Sequence, residues 1–114
     1  MNNLKKYRAS YENKYEMIVE IDHTIMTDEK LHEINNFWGD ASYRFAQSNR
    51  NITETVLRML ACKAFSAAVH SWDPVKEIEE AEGWPPKMDG SFGIKIVSID
   101  DVSFDSEDIF VTVE

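Results

Sequence analysis

The chain has 114 residues, 43% of them hydrophobic and 29% charged, and carries a formal net charge of −9 at neutral pH. These proportions suit one globular domain over 1–114 with a substantial core. No apolar run approaches the roughly 20 residues needed to span a bilayer, and residues 1–11 are polar and basic, without the apolar centre of a secretory signal. Cys62 is the only cysteine, so an intramolecular disulfide is excluded and a reducing, cytoplasmic compartment is expected.

The first elements read as a β-hairpin over 4–21. Tyr7, Ala9 and Tyr11 alternate with polar residues, as do Tyr15, Met17, Val19 and Ile21. For the apolar faces to coincide, Tyr11 must face Tyr15, Ala9 must face Met17 and Tyr7 must face Val19. That parity requires an odd loop, Glu12-Asn13-Lys14, and a slip by one residue would turn every side chain over. Lys6 and Glu20 would pair on the polar face.

Leu31, Ile34, Trp38, Ala41 and Phe45 follow at spacings of three and four, one stripe of a helix. Thr27 ahead of Asp28 and Glu29 is a hydroxyl N-cap with acids in the first turn. Glycine at 39 costs about 1 kcal/mol inside a helix, and Gly39-Asp40 could be a stop and a new cap. One helix over about 28–47 is favoured because the stripe keeps phase through Gly39, whose small size would admit a close backbone neighbour. Asn51 with Glu54 opens a second helix in the manner of a capping box. Apolar residues from Ile52 to Val69, Cys62 among them, occupy more than one face, so this helix is expected to be the most buried. Arg58 and Lys63 mark its wet edge, and the short connection makes the two helices antiparallel neighbours.

Asp73-Pro74 starts a short third helix over 75–82, capped by Gly83. The stretch from Gly83 to Gly93 is a loop stiffened by Pro85-Pro86 and turned at Asp89-Gly90. Residues 94–99 form a strand whose apolar phase switches between Ile96 and Val97, the mark of a bulge or of two buried faces. Asp100 to Asp108 is an acidic connection. Ile109, Val111 and Val113 then alternate with Phe110 and Thr112 as a last strand. The expected fold is α+β in the order ββααββ, with two terminal hairpins in one antiparallel sheet and the central helix pair on one face.

The stretches Glu16-Met17-Ile18-Val19-Glu20, Leu31-His32-Glu33-Ile34-Asn35-Asn36-Phe37-Trp38-Gly39-Asp40 and Gly83-Trp84-Pro85-Pro86 through Asp89-Gly90-Ser91 resemble a family of small phage- and prophage-encoded proteins of unknown function. The resemblance covers most of the chain apart from 73–82. It implies a bacterial or phage cytoplasmic setting and an accessory role, and it carries no catalytic residues to transfer.

Charge gives the sharpest functional signal. Residues 1–72 hold nine acids and nine bases, whereas residues 73–114 hold twelve acids against Lys76, Lys87 and Lys95. Direct nucleic-acid binding is disfavoured, because affinity for phosphate backbones comes from clustered lysine and arginine. The acidic third is either a solvated face or a contact surface for a basic partner, and in one version of the latter it imitates the phosphates that DNA-binding proteins recognise. His23, His32 and His70 with Cys62 lack the short spacing of a zinc site. Asp100, Asp101, Asp105, Glu107 and Asp108 attract hard cations in principle but lack the ordered calcium loop. No phosphate-binding glycine loop or nucleophile elbow is present, and His70 near Asp73 has no partnered nucleophile. No cofactor is expected.

The candidate contact residues are therefore Trp84, Pro85, Pro86, Asp89, Asp100, Asp101, Asp105, Glu107 and Asp108. A tryptophan beside a stiff diproline offers area at small entropic cost, although Trp84 could equally plug one end of the core. The reading is a non-catalytic protein-interaction module whose partner is a host or phage protein with a basic surface. The competing reading is a small ligand- or metal-binding protein, or an enzyme, with a pocket between sheet and helices. Homodimerisation through an edge strand or the helix stripe is a further expectation.

Overall fold

The computed structural model describes residues 3–114. Its elements in chain order are β1 (Leu4–Tyr11), β2 (Tyr15–Asp22), α1 (Asp28–Asn36), α2 (Ala41–Gln47), α3 (Ile52–His70), α4 (Pro74–Glu80), β3 (Ile94–Ile99) and a single 3-10 turn (Ser106–Asp108). The fold is α+β: a three-stranded antiparallel sheet in the order β1-β2-β3, with helices on one face.

The first hairpin has the register that parity demands. Tyr11 faces Tyr15, Ala9 faces Met17 and Tyr7 faces Val19 across the three-residue loop. Glu12 and Asn13 turn the chain with φ of 48° and 58°, and Lys14 N–H donates to the Tyr11 carbonyl at 2.9 Å. Met17, Val19 and Ile21 are buried against the helices. Lys6 stands opposite Glu20 on the other face, but the ion pair there joins Arg8 and Glu16 at 3.6 Å. Both members are largely exposed, so its contribution is small. In β3 the phase switch at Val97 is a bulge: Ile18 faces Ser98 and Val19 faces Ile96, leaving Val97 without an opposite number.

The first helix departs from expectation, because it is two helices. α1 ends at Asn36 and α2 starts at Ala41, with Asp40 between them in the left-handed region at φ 64°. Arg44 explains why the break is stable. Its Nη2 donates to the Asn35 carbonyl at 2.8 Å and the Trp38 carbonyl at 3.3 Å, and its Nη1 donates to the Gly39 carbonyl at 2.5 Å. Its Nε donates to the buried Asn35 side chain at 2.9 Å. One guanidinium thus satisfies the carbonyls that a continuous helix would have bonded internally. Nothing lies within 4 Å of where a Cβ on Gly39 would sit, so that glycine does not serve a close approach; Gly83 does, with φ 90° and the Phe37 and Trp38 rings only 2.6–2.7 Å from where a Cβ would sit. Gly83 does not cap the third helix, which ends at Glu80.

α3 is capped as read, with Asn51 Oδ1 accepting from Glu54 N–H at 3.1 Å. It buries one stripe, Ile52, Val56, Leu60, Ala64 and Ala67, widened by Thr55, Leu57 and Ala61. Cys62 lies on the opposite side and is exposed, contrary to the expectation of burial. The apolar surplus on α3 therefore exceeds what the other elements cover. The core joins this stripe to Met17, Val19, Ile21, Ile94, Leu31 and Ile78, each large side chain contributing about 1.5–3 kcal/mol before entropic losses.

The second terminal hairpin does not form, and residues 109–114 are not a strand, so the order is ββααααβ rather than ββααββ. The physical reason is that the outer edge of β3 is already taken over 94–96, which leaves three residues, too few for a five-residue strand to pair along. Ile96 N–H donates to the Met88 carbonyl at 3.1 Å, Gly90 N–H donates to the Ile94 carbonyl at 3.0 Å, and Asp89 forms a bridge with Lys95. The Glu79 carboxylate, accepting from Met88 N–H at 2.7 Å, ties this covering loop to α4.

Candidate functional site

The two edges of the sheet differ. The β3 edge is covered by residues 88–90, whereas no element pairs with the outer edge of β1 over 5–11 among the described residues. A cleft of about 700 Å³ runs between that edge and the first half of α3. Its lining includes Tyr7, Arg8, Ala9 and Ser10 in succession, and such consecutive residues point to opposite faces, so the cleft follows the strand's edge rather than its face. Leu57 and Ala61 supply an apolar wall, and Lys5, Arg8 and Arg58 its cations. Tyr7 and His23 share a hydrogen bond of 2.8 Å at one side. Partial burial, with the Asp28 carboxylate near it, holds the Tyr7 phenol above its ordinary pKa, so it stays neutral.

The acidic segment leaves β3 at the hairpin tip. Glu16 N–H donates to the Asp100 carboxylate at 2.9 Å, Asp100 N–H donates to the Glu16 carbonyl at 3.0 Å, and the Tyr15 hydroxyl donates to the Ser103 carbonyl at 2.8 Å. Asp105 caps the 3-10 turn by accepting from Glu107 N–H at 3.0 Å. Asp100 and Asp105 therefore have structural work, while Asp101, Glu107 and Asp108 face water. The segment passes a hollow bordered by Tyr11, Lys14, Tyr15, Phe104 and Ile109, which brings it round to the end of β1. Beyond it, Phe110, Val111 and Val113 are 91%, 89% and 100% exposed. The molecule is correspondingly long, 57 × 29 × 25 Å, with a radius of gyration of 15.5 Å against about 13 Å for a compact chain of this length.

The Trp84 loop lies elsewhere. The Trp84 ring packs on Trp38 at 5.3 Å between centroids, partly buried against the core. Pro85 is half-buried and Pro86 exposed. With Met59 and Cys62 the two tryptophans border a hollow of about 380 Å³. Asp89 accepts from the Ser91 hydroxyl at 2.6 Å and from its N–H at 3.0 Å, bonds that favour the carboxylate and lower its pKa. The structure thus keeps the Trp84 loop and the acidic segment apart: Trp84 borders the hollow beside α3, and the acids cross the hairpin tip.

Sequence reasoning missed Trp72, which is fully exposed between α3 and α4. Its position just past the last turn of α3, beside Asp73-Pro74, was the available signal. His23, Cys62, His32 and His70 do not converge: among the described residues no three His, Cys, Asp or Glu side chains are placed to share a metal ion. No buried polar side-chain atom among them lacks a hydrogen-bond partner, and no helix is long and apolar enough to cross a membrane.

The model of a family described as protein of unknown function (DUF2528) matches residues 16–111. Two relatives are each 44% identical to this chain over 121 residues, covering 97% of it and 98% of their own length: the lambda prophage-derived protein ea10 of Escherichia coli O6:H1 strain CFT073, and protein ea10 of Escherichia phage lambda. No solved structure matches.

Proposed function

The chain belongs to the DUF2528 family of proteins of unknown function, and we propose that it is a phage- or prophage-type accessory protein working as a non-catalytic protein-interaction module. Its principal contact surface is the segment 100–114, and its partner presents a basic surface. The observation that carries this reading is the company the acids keep. Five carboxylates over 100–108, with Phe104 among them and no cation, run directly into Ile109, Phe110, Val111 and Val113, with Glu114 after, and all five of these apolar side chains are exposed. Acids alone would suit a solvated face, but exposed aromatic and branched residues among them suit an interface, where apolar anchors supply affinity and charges choose the partner. The hollow beside Trp38, Met59, Cys62 and Trp84 is a second, smaller contact surface on the same view.

The test uses Asp101→Asn, Glu107→Gln and Asp108→Asn together, three acids that the fold does not use for capping. Affinity capture from a bacterial lysate at low salt is expected to retain a basic protein with the parent chain and to lose it with the triple variant. Capture of the same proteins by both chains, or of none by either, contradicts the reading.

A further inference from the structure

We propose that the cleft along the open edge of β1 receives residues 109–113 of a second copy of this chain, so that two copies exchange C-terminal strands. This rests on the reading above in one respect, that the segment 100–114 is a contact surface, and adds the β1 of a second copy as a basic surface that it meets.

Four observations converge. First, residues 109–113 alternate Ile, Val and Val with Phe and Thr, a sequence suited to a half-buried strand, yet they stand clear of the body with Val111 89% and Val113 100% exposed. Second, the sheet offers a free edge of matching length. The β3 edge is covered by residues 88–90 over 94–96, leaving at most 97–99, whereas among the described residues β1 is open over 5–11, about 23 Å, and five paired residues need about 17 Å. Open edges of this kind are templates for an added strand. Third, the charges complement. β1 carries Lys5, Lys6 and Arg8 and no acid, while residues 100–114 carry six acids and no base. Asp28 and Glu54 at the cleft offset two of the three charges of Lys5, Arg8 and Arg58, with Arg58 paired to Glu54 at 3.1 Å and Arg8 to Glu16 at 3.6 Å, so Lys5 is the cation left without a carboxylate partner in the cleft. Fourth, the cleft has an apolar wall, Leu57 and Ala61, where a strand laid on β1 would bury every second side chain.

A second copy fits better than closure within one chain. The segment reaches the end of its own β1 at Ile109, beside Tyr11, yet residues 109–113 stand exposed there and form no strand with it, which leaves a second copy to receive them. When each copy gives one segment and receives one, the contact closes with two-fold symmetry and leaves neither β1 edge exposed.

The experiment is light scattering on the intact chain and on Val111→Pro across a concentration series. Proline removes one donor from the added strand and touches nothing in the body. The intact chain is expected to reach twice the monomer mass by about 100 µM in low salt and to dissociate as salt rises. Val111→Pro is expected to shift the dimer dissociation constant at least roughly tenfold toward monomer, with an unchanged circular dichroism spectrum. An intact chain that stays monomeric throughout, including one closed on itself, overturns the proposal, as does a Val111→Pro dimer of undiminished affinity. If the intact chain is monomeric yet captures a basic partner in a carboxylate-dependent way, strand exchange is refuted while the interaction reading stands.

Discussion

β2 and residues 109–113 share one pattern and have opposite fates. In β2, Met17, Val19 and Ile21 occupy every second position and are at most 1% exposed. In the later run, Ile109, Val111 and Val113 occupy every second position and are 61–100% exposed. Alternation makes a segment able to be a half-buried strand, but the strand exists only where a neighbour offers backbone and a core offers a face. β2 has β1 on one side, β3 on the other and α3 above it. Residues 109–113 follow β3 in sequence, but the place beside its first half, 94–96, is filled by residues 88–90. An alternating pattern alone therefore does not make a strand: it needs a free edge to pair with and a face to cover.

The contrast can be measured directly. Leu60, fully buried where α3 meets the sheet and α1, is expected to cost about 2–5 kcal/mol when replaced by alanine. Val111→Ala, also an apolar truncation, is expected to change monomer stability by less than about 0.5 kcal/mol. Urea unfolding of both at a concentration low enough to exclude self-association checks the difference. Comparable losses at the two sites would mean that the later run packs on its own body after all. A smaller effect tests the body's own seam. Gly83→Ala would force a methyl against Phe37 and Trp38 at a φ of 90°, and a loss of about 1–3 kcal/mol is expected from crowding together with left-handed strain. If Gly83→Ala is neutral in thermal unfolding, the packing of Trp84 on Trp38 is not what anchors that loop.

Much of the body was legible in the sequence because its signals are local. The register of the first hairpin followed from parity alone, Val97 announced its bulge by a change of phase, and Thr27, Asn51 and Asp73 cap their helices with the side-chain bonds their types suggest. The misreadings arise where a distant group decides. The apolar stripe from Leu31 to Phe45 keeps phase through Gly39, which outweighed the local stop signal of Gly39-Asp40; the break falls there, held by Arg44 reaching back to Asn35, Trp38 and Gly39. The exposure of Cys62 depends on how much of α3 its neighbours cover, which periodicity cannot give. The loss of the second hairpin depends on Met88–Gly90 occupying an edge, a pairing with no local signature. Of the candidate contacts, the acids from Asp100 to Asp108 were legible as a run. The apolar residues that follow them were legible only as a strand, and Trp72 was not singled out at all.

The central claim is that residues 109–113 lack a strand partner within one chain and find one outside it. Amide hydrogen exchange at a low and a high protein concentration tests this most directly, since exchange reports backbone pairing segment by segment. The account predicts fast exchange over 109–113 in dilute protein, and protection appearing on concentration in 109–113 and in the β1 edge over 5–11 together. Protection of 109–113 already complete in dilute protein, or fast exchange there at every concentration, would contradict it.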